Sequence, residues 1–179
     1  MATDAATPAP AAASPSDGAA PPLPSTTKPT EVTVACLLVD DMSASLSFYV
    51  DVLPYAMDYA MDAAGGAVPV DDRSRRGDII FTCLKTGGGA ELMLQLRSAM
   101  DDYLPAGAIA PPPTPGSGSH VMLYVRGVDV DAAYAALPPS ADVLKKPRTM
   151  PYGFRELALR DPANGYVVVL TKPVGDASS

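Results

Sequence analysis

His120 is the one histidine in this chain of 179 residues, and it begins an apolar segment, His120–Val125. An imidazole can ligate a metal or exchange a proton near neutral pH. A divalent cation needs three or four nitrogen, oxygen or sulfur ligands, so a lone histidine does not hold one against water. Three roles stay open for His120: a polar group in a cavity wall, which the sequence favours, a metal ligand, or a general acid–base.

Other reactive side chains give weaker signals. Cys36 and Cys83 lie in strand-like segments, so we expect buried, small apolar groups rather than a disulfide or a reactive thiol. The stretches Gly87–Gly89 and Gly116–Gly118 lack the Gly-Lys-Ser/Thr of a phosphate loop, and no nucleophile elbow is present. We expect solvated charge at the acidic pairs, which are Asp40-Asp41, Asp71-Asp72 and Asp101-Asp102.

The strands and helices that carry these residues follow a pattern that occurs twice along the chain. Each half begins with an apolar strand and a capped helix: Val32–Val39 with Ala44–Leu53 after Asp41 or Ser43, and His120–Val125 with Val130–Leu137 after Asp129. Three more strands follow in each half: Tyr55–Met61, Ile79–Leu84 and Glu91–Arg97, then Asp142–Lys146, Phe154–Arg160 and Tyr166–Thr171. Turn residues at Lys85–Gly89 and Asp161–Gly165 join the last two strands of each half. The predicted fold class is therefore α+β, with two tandem βαβββ modules.

The first and last strands of each half alternate between two kinds of side chain. One set is uniformly apolar and should pack under the helices: Leu37, Val39, Leu92, Leu94, Leu96, Val121, Leu123, Val125, Val168 and Leu170. The other set is mixed, as a small-molecule pocket would be: Val34, Cys36, Leu38, Met93, Gln95, Arg97, His120, Met122, Tyr124, Val169 and Thr171. A filled interface between sheets is the alternative. Arg97 tests the choice, because a guanidinium on an inner face needs an anionic partner or solvent.

The ends and the middle of the chain have a different composition. Residues 1–30 are rich in Pro and Ala, so we expect disorder, and they lack the basic start and apolar core of a secretory signal. Residues 174–179 should be frayed. The stretch Pro105–Ser119 is predicted to be a linker or a mobile flap.

The net charge and the hydropathy of the chain exclude some classes of binding partner. A net charge of −7 argues against nucleic acid and an anionic membrane surface. No apolar run approaches the roughly 20 residues of a membrane span. The expected location is the cytoplasm, where two unpaired cysteines stay reduced.

Several motifs occur in order along the chain: Val39-Asp40 with Ser45-Leu-Ser-Phe-Tyr49, His120–Val125 with Val128-Asp129, Met150-Pro-Tyr-Gly153, and Asp161-Pro-Ala-Asn-Gly165. On these motifs the chain resembles the vicinal oxygen chelate superfamily, the glyoxalase and bleomycin resistance fold, over residues 31–173. The resemblance implies module one at 31–104, a linker at 105–119 and module two at 120–173, forming a curved cleft. It also implies a homodimer. Members include isomerases, epimerases, ring-cleaving dioxygenases, thiol transferases and metal-free drug binders, so chemistry is less specified than fold.

Matching the family's motifs places its metal-ligand positions at Val34, Gln95, His120 and Val169. Two valines cannot ligate, and an amide is a weak ligand, so the resemblance predicts a member with no metal and no cofactor. It also places the loop Met150–Gly153 at the mouth of a cavity, where Tyr152 would touch a ligand or simply pack in a turn.

These observations predict a metal-independent protein that binds a small, partly apolar molecule in the cleft between the modules, for sequestration or carriage as in bleomycin resistance proteins. The expected ligand-binding residues are His120, Gln95, Arg97, Met93, Met122, Tyr124, Leu38, Val34, Val169 and Tyr152. The alternatives are a metal-dependent enzyme of glyoxalase or dioxygenase type, and a non-catalytic interaction module. The expected partners are a small molecule and a second copy of the chain, with neither nucleic acid nor membrane.

Overall fold

A computed structural model describes residues 33–100, 104–105, 107–111 and 118–175 of the chain. The predicted N-terminal tail and residues 176–179 lie outside these ranges, and the predicted linker is described only in part. The described residues from Val34 onward belong to one compact unit.

The first half forms a four-stranded sheet and one α-helix. Its strands are β1 (Ala35–Val39), β2 (Tyr55–Asp62), β3 (Ile79–Thr86) and β4 (Glu91–Leu96), and its helix is α1 (Met42–Tyr49). The spatial order is β1-β4-β3-β2, with β1 parallel to β4 and the other pairs antiparallel. We call this the first sheet.

The second half repeats the arrangement. Its strands are β5 (Met122–Arg126), β6 (Asp142–Thr149), β7 (Phe154–Arg160) and β8 (Val167–Pro173), and its helix is α2 (Val130–Ala135). The order β5-β8-β7-β6 in this second sheet matches the first, again with one parallel pair. The predicted fold class, two βαβββ modules, is confirmed.

Each sheet has a helix-side face and an open face. The predicted apolar set forms the helix-side faces: seven of its members are buried in one cluster with α1 and α2 residues, and Leu96, Val121 and Leu123 pack against it. The open face of the first sheet includes Cys36, Leu38, Phe81, Cys83, Met93 and Gln95. That of the second includes Met122, Tyr124, Arg126, Glu156, Val169 and Thr171.

Several element ends differ from the predictions. α1 begins earlier, at Met42, because the Asp41 carboxylate accepts a hydrogen bond from the Ala44 amide (2.9 Å) and caps the helix there. It also ends at Tyr49, so Leu53 lies beyond it. Asp129 caps α2 as predicted. Two predicted strands are shorter than expected. Arg97 lies beyond β4, at the start of a 3₁₀-helix, and His120 lies before the start of β5. None of the helices in the described part of the chain has the length and apolar character that a bilayer span requires.

Candidate functional site

The turn between β7 and β8 joins the two sheets through the buried side chain of Asn164. Its Nδ2 donates to Ser45 Oγ (3.0 Å) on α1 and to Asp161 Oδ2 (2.9 Å), and its Oδ1 accepts from the Asp40 amide (3.2 Å). The Tyr166 hydroxyl donates to the Leu38 carbonyl (2.7 Å). Buried polar groups with partners in both halves therefore fix the relative position of β1 and this turn.

Asp161 is fully buried at the same junction. Its Oδ1 accepts from the amides of Ala163 (2.8 Å) and Asn164 (3.2 Å), which satisfies the carboxylate locally. Tyr49 lies nearby, and its buried hydroxyl has no hydrogen-bond partner among the described residues. Burial and the adjacent Asp161 charge raise the pKa of Tyr49 far above its usual value, so the phenol stays neutral.

A pocket of about 680 Å³ opens beside this junction. One wall is the open-face side of β1, with Cys36 and Leu38. The opposite wall is the segment before β5 and the β7–β8 turn, with His120 and Tyr166. Ile109–Pro111 forms part of the rim. This volume is within the range of pockets that hold drug-sized molecules, and apolar groups with a few polar ones line it.

Arg97 lies at this pocket with an anionic partner from its own chain. Its Nε donates to Asp40 Oδ1 (2.8 Å), and its Nη1 donates to the Ala110 carbonyl (2.9 Å). Burial raises the pKa of Tyr166, which lines the same pocket, while the positive charge of Arg97 opposes that shift. Asp40 thus supplies the anionic partner that the sequence analysis required for Arg97. Through its second hydrogen bond, Arg97 also connects the Ala110 segment to the end of β1.

His120 is exposed at the pocket wall, in keeping with the polar role that the sequence favours. The prediction for the cysteines is wrong at Cys36, which is exposed because it points to the open face. Cys83 is half-buried, and both thiols are unpaired. Partial burial raises the pKa of each thiol, so both are weak nucleophiles at neutral pH.

The predicted site residues fall into three groups. Leu38, Arg97 and His120 line the junction pocket. Met93 and Gln95 lie on the open face of the first sheet, in register with Cys36 and Leu38, and half-buried Val34 directly precedes β1. Met122, Tyr124 and Val169 lie on the open face of the second sheet, and Tyr152 lies in the β6–β7 turn. One chain does not bring all ten residues to a single pocket.

The four positions that the family resemblance assigns to metal ligands do not suit a metal. Val34 and Val169 have no donor atom, and the Gln95 amide nitrogen donates to the Ile80 carbonyl (3.0 Å). Among the residues that the structure describes, no three His, Cys, Asp or Glu side chains converge as a ligand set. The donor chemistry at these positions is therefore wrong for zinc, nickel or iron.

Sequence reasoning missed the junction residues. The motif Asp161–Gly165 predicts a turn, and nothing local distinguishes the solvated Asn of an ordinary turn from the buried Asn164. At Tyr166 the sequence predicts only a strand.

Comparisons with known proteins place this architecture in a family. The model of the "Glyoxalase/Bleomycin resistance protein/Dioxygenase superfamily" matches residues 31–170. No curated protein is significantly similar to the chain in sequence.

Solved structures share the fold at low identity. A glyoxalase/bleomycin resistance protein/dioxygenase from Nocardioides is 23% identical with a TM-score of 0.57, and the match covers 87% of this chain and 91% of that one. A protein of unknown function from Agrobacterium tumefaciens str. C58 is 18% identical with a TM-score of 0.56, covering 82% and 96%. TioX from Micromonospora sp. ML1 is 20% identical with a TM-score of 0.50, covering 83% and 99%. With two βαβββ modules and a family model matching most of its length, the chain belongs to the glyoxalase/bleomycin resistance protein/dioxygenase superfamily.

Proposed function

We propose that this chain is a metal-independent binding protein that holds a small, partly apolar molecule in the cleft between modules 31–104 and 120–173. Its role would be sequestration or carriage, as the name of bleomycin resistance proteins suggests. The absence of Trp removes the strongest stacking residue, which argues for a ligand other than bleomycin itself.

The observation that carries this proposal is the junction pocket of about 680 Å³. It is lined by Leu38 and Cys36 on one side and by His120 and Tyr166 on the other. The charge of Arg97 is already balanced by Asp40. The pocket thus offers apolar surface with hydrogen-bonding groups at its edge, which suits a small molecule that is only partly polar.

A thermal denaturation scan of the full chain against a ligand panel tests the binding. A ligand at a hundredfold excess over its Kd stabilises the native state by about 2.7 kcal/mol, which raises the Tm by roughly 5–10 °C. Leu38→Phe should reduce this shift by narrowing the pocket at β1. Leu144→Phe, at an exposed position outside the pocket, is the matched control. If no ligand raises the Tm, the binding function is wrong.

The metal independence has its own test. Val34, Gln95 and Val169 do not provide a ligand set, so elemental analysis of the purified protein should find no stoichiometric metal. Stoichiometric Ni, Zn, Mn or Fe that is lost on His120→Ala would instead establish a metal-dependent enzyme of the glyoxalase or dioxygenase type.

We also propose that the chain forms a homodimer in the cytoplasm. Tyr59 on the edge strand β2 and Val70 in the loop after it are 41% and 40% exposed, and a second copy would cover apolar surface of this kind. The free cysteines suit a reducing compartment. Light scattering after size exclusion should give twice the chain mass of 18.4 kDa, and Val70→Glu should shift it to the monomer. A monomeric wild type would contradict the homodimer, and recovery of the protein in a secreted fraction would contradict the cytoplasmic location.

A further inference from the structure

A row of polar side chains crosses the open face of the second sheet, away from the junction pocket. Arg126 on β5 is level with Thr171 on β8, Thr171 with Glu156 on β7, and Glu156 with Arg148 on β6. Directly opposite residues on paired strands have Cβ atoms about 5 Å apart and point to the same face. The four side chains therefore form one continuous polar row.

Two members of this row are buried. Glu156 is 7% exposed and Thr171 is 3% exposed. The Thr171 Oγ1 has no hydrogen-bond partner among the residues that the structure describes. A buried hydroxyl without a partner is unfavourable, and a ligand atom that bonds to it would relieve that cost.

Two tyrosines stand beside the row with exposed rings. Tyr124 is 55% exposed and Tyr152 is 59% exposed. The adjacent Glu156 carboxylate raises the pKa of Tyr152, and the Tyr152 ring lies 6.1 Å from that of Phe154. Phe154 thus packs near one exposed ring, and Tyr124 offers a second, two residues before Arg126 on the same face.

The charge of the row favours an anion. Arg148 lies level with Glu156, so these two opposite charges offset each other. Arg126 lies on the far side of Thr171 and makes no ion pair within 4 Å among the described residues. The Gly127 amide donates to the Thr171 carbonyl (2.8 Å), which keeps the end of β5 beside Thr171. A single positive charge next to an unpartnered hydroxyl suits one carboxylate.

We propose that the open face of the second sheet binds a small aromatic carboxylate, held by Arg126 and the Thr171 hydroxyl with its ring against Tyr124 and Tyr152. This inference rests on the proposed function, because it extends small-molecule binding from the junction pocket to a second surface of the same chain. An amine fits less well, since it would meet two guanidinium groups and one carboxylate. An aromatic ring suits the two exposed tyrosines better than an aliphatic chain does.

Benzoate and benzamide separate the contribution of charge from that of shape. Each is titrated into the isotopically labelled full chain and followed by ¹H–¹⁵N NMR, which also locates the binding. Benzoate should bind about tenfold more tightly than benzamide, as expected for a charged hydrogen bond. Its shifts should centre on Tyr124, Arg126 and Thr171.

Three variants assign the roles. Arg126→Gln should weaken benzoate binding by about tenfold and leave benzamide unchanged. Arg148→Gln removes the same charge from the same row and is the matched control, with less than about a threefold effect because the anion lies beyond most of its screened field. Thr171→Val should weaken binding by about fivefold while the Tm stays equal or rises, since the lost hydroxyl had no partner.

Several outcomes would overturn this assignment. Equal affinity for benzoate and benzamide, or equal losses for Arg126→Gln and Arg148→Gln, would do so. Shifts confined to residues around His120 and Asn164 would also do so, while leaving the proposed function intact. If benzoate does not bind but another panel compound raises the Tm, only the ligand class is wrong. If no compound binds, the proposed function is wrong as well.

Discussion

The two sheets carry similar, apolar residues on the faces that pack against their helices. On the opposite, open faces their residue types differ. Leu94 under α1 and Val168 under α2 occupy equivalent positions, and both are fully buried. On the open faces the central rows share almost nothing. The first sheet has Leu38, Gln95, Phe81 and Met61 in register, and the second has Tyr124, Val169, Ala158 and Lys145 at the equivalent positions.

This difference separates packing from recognition. A helix-side face needs apolar side chains of matching volume in either half, because misfit there costs stability directly. An open face carries no such requirement, so its residues can differ between the halves. The first sheet offers sulfur and apolar surface, and the second offers charge and phenols, so the two faces present different chemistry to a ligand.

The largest expected effect is on the helix-side faces. Leu94→Ala and Leu170→Ala should each lower the free energy of unfolding by about 3 kcal/mol, because each leaves a cavity in the shared core. Met93→Ala, one residue away on the open face, should cost less than half as much, since Met93 is only half-buried. Urea denaturation measures all three. An equal cost at Met93 would mean that the open face is packed as tightly as the core.

The next effect is at the junction of the sheets. Asn164→Ala should cost about 2 kcal/mol, because Ser45 Oγ and the Asp40 amide lose a buried partner. Ser45→Ala should cost about 1 kcal/mol. Ser47→Ala is the control on the same helix, since its hydroxyl is exposed and bonds only to the Ser43 carbonyl (2.9 Å). Thermal unfolding followed by circular dichroism tests this series, and equal values for Ser45 and Ser47 would contradict it.

A smaller effect should depend on pH. In the first half Arg76 forms two hydrogen bonds to Asp51 (2.6 and 3.0 Å) and lowers the pKa of that carboxyl. A lowered folded-state pKa stabilises the protein above the unfolded value of about 4, and that stability is lost as the pH falls through the folded value. Arg76→Met should therefore cost about 1 kcal/mol at pH 7 and progressively less in acid.

The second half contains a more exposed pair of the same kind. Arg155 binds Asp131 (2.6 and 3.0 Å) and also lowers that carboxyl's pKa, but the aspartate is largely in solvent. Arg155→Met should change stability less than Arg76→Met at every pH. Urea midpoints between pH 3 and 7 give the comparison, and the reverse order would contradict it.

The smallest effect concerns the thiols of the first open face. Cys36 is exposed and Cys83 is half-buried, so a disulfide reagent should modify Cys36 a few times faster. Burial raises the pKa of both thiols, so both rates should keep rising with pH above the usual thiol range. Cys83→Ser and Cys36→Ser variants isolate each rate. A ligand in the junction pocket should protect Cys36 alone, and protection of Cys83 instead would place the ligand elsewhere.

Much of the fold could be predicted because its signals are local. Alternation in Glu91–Leu96 and Val167–Leu170 identified which side chains face the helices, and Asp41 and Asp129 marked the helix starts. The exposure of Cys36 could not be predicted in the same way. Its neighbours look apolar, and only the arrangement of the sheets decides that its face is uncovered.

The sequence by itself determined the duplicated βαβββ pattern, the composition of each strand face and the loss of ligand atoms at Val34 and Val169. These follow from side-chain periodicity and donor chemistry, which depend on a few neighbouring residues. Only the tertiary structure decided that Asn164 reaches the Asp40 amide 124 positions away, that Asp40 balances Arg97, and that Thr171 is buried without a partner. Such pairings depend on how distant segments pack, and no local pattern specifies that geometry.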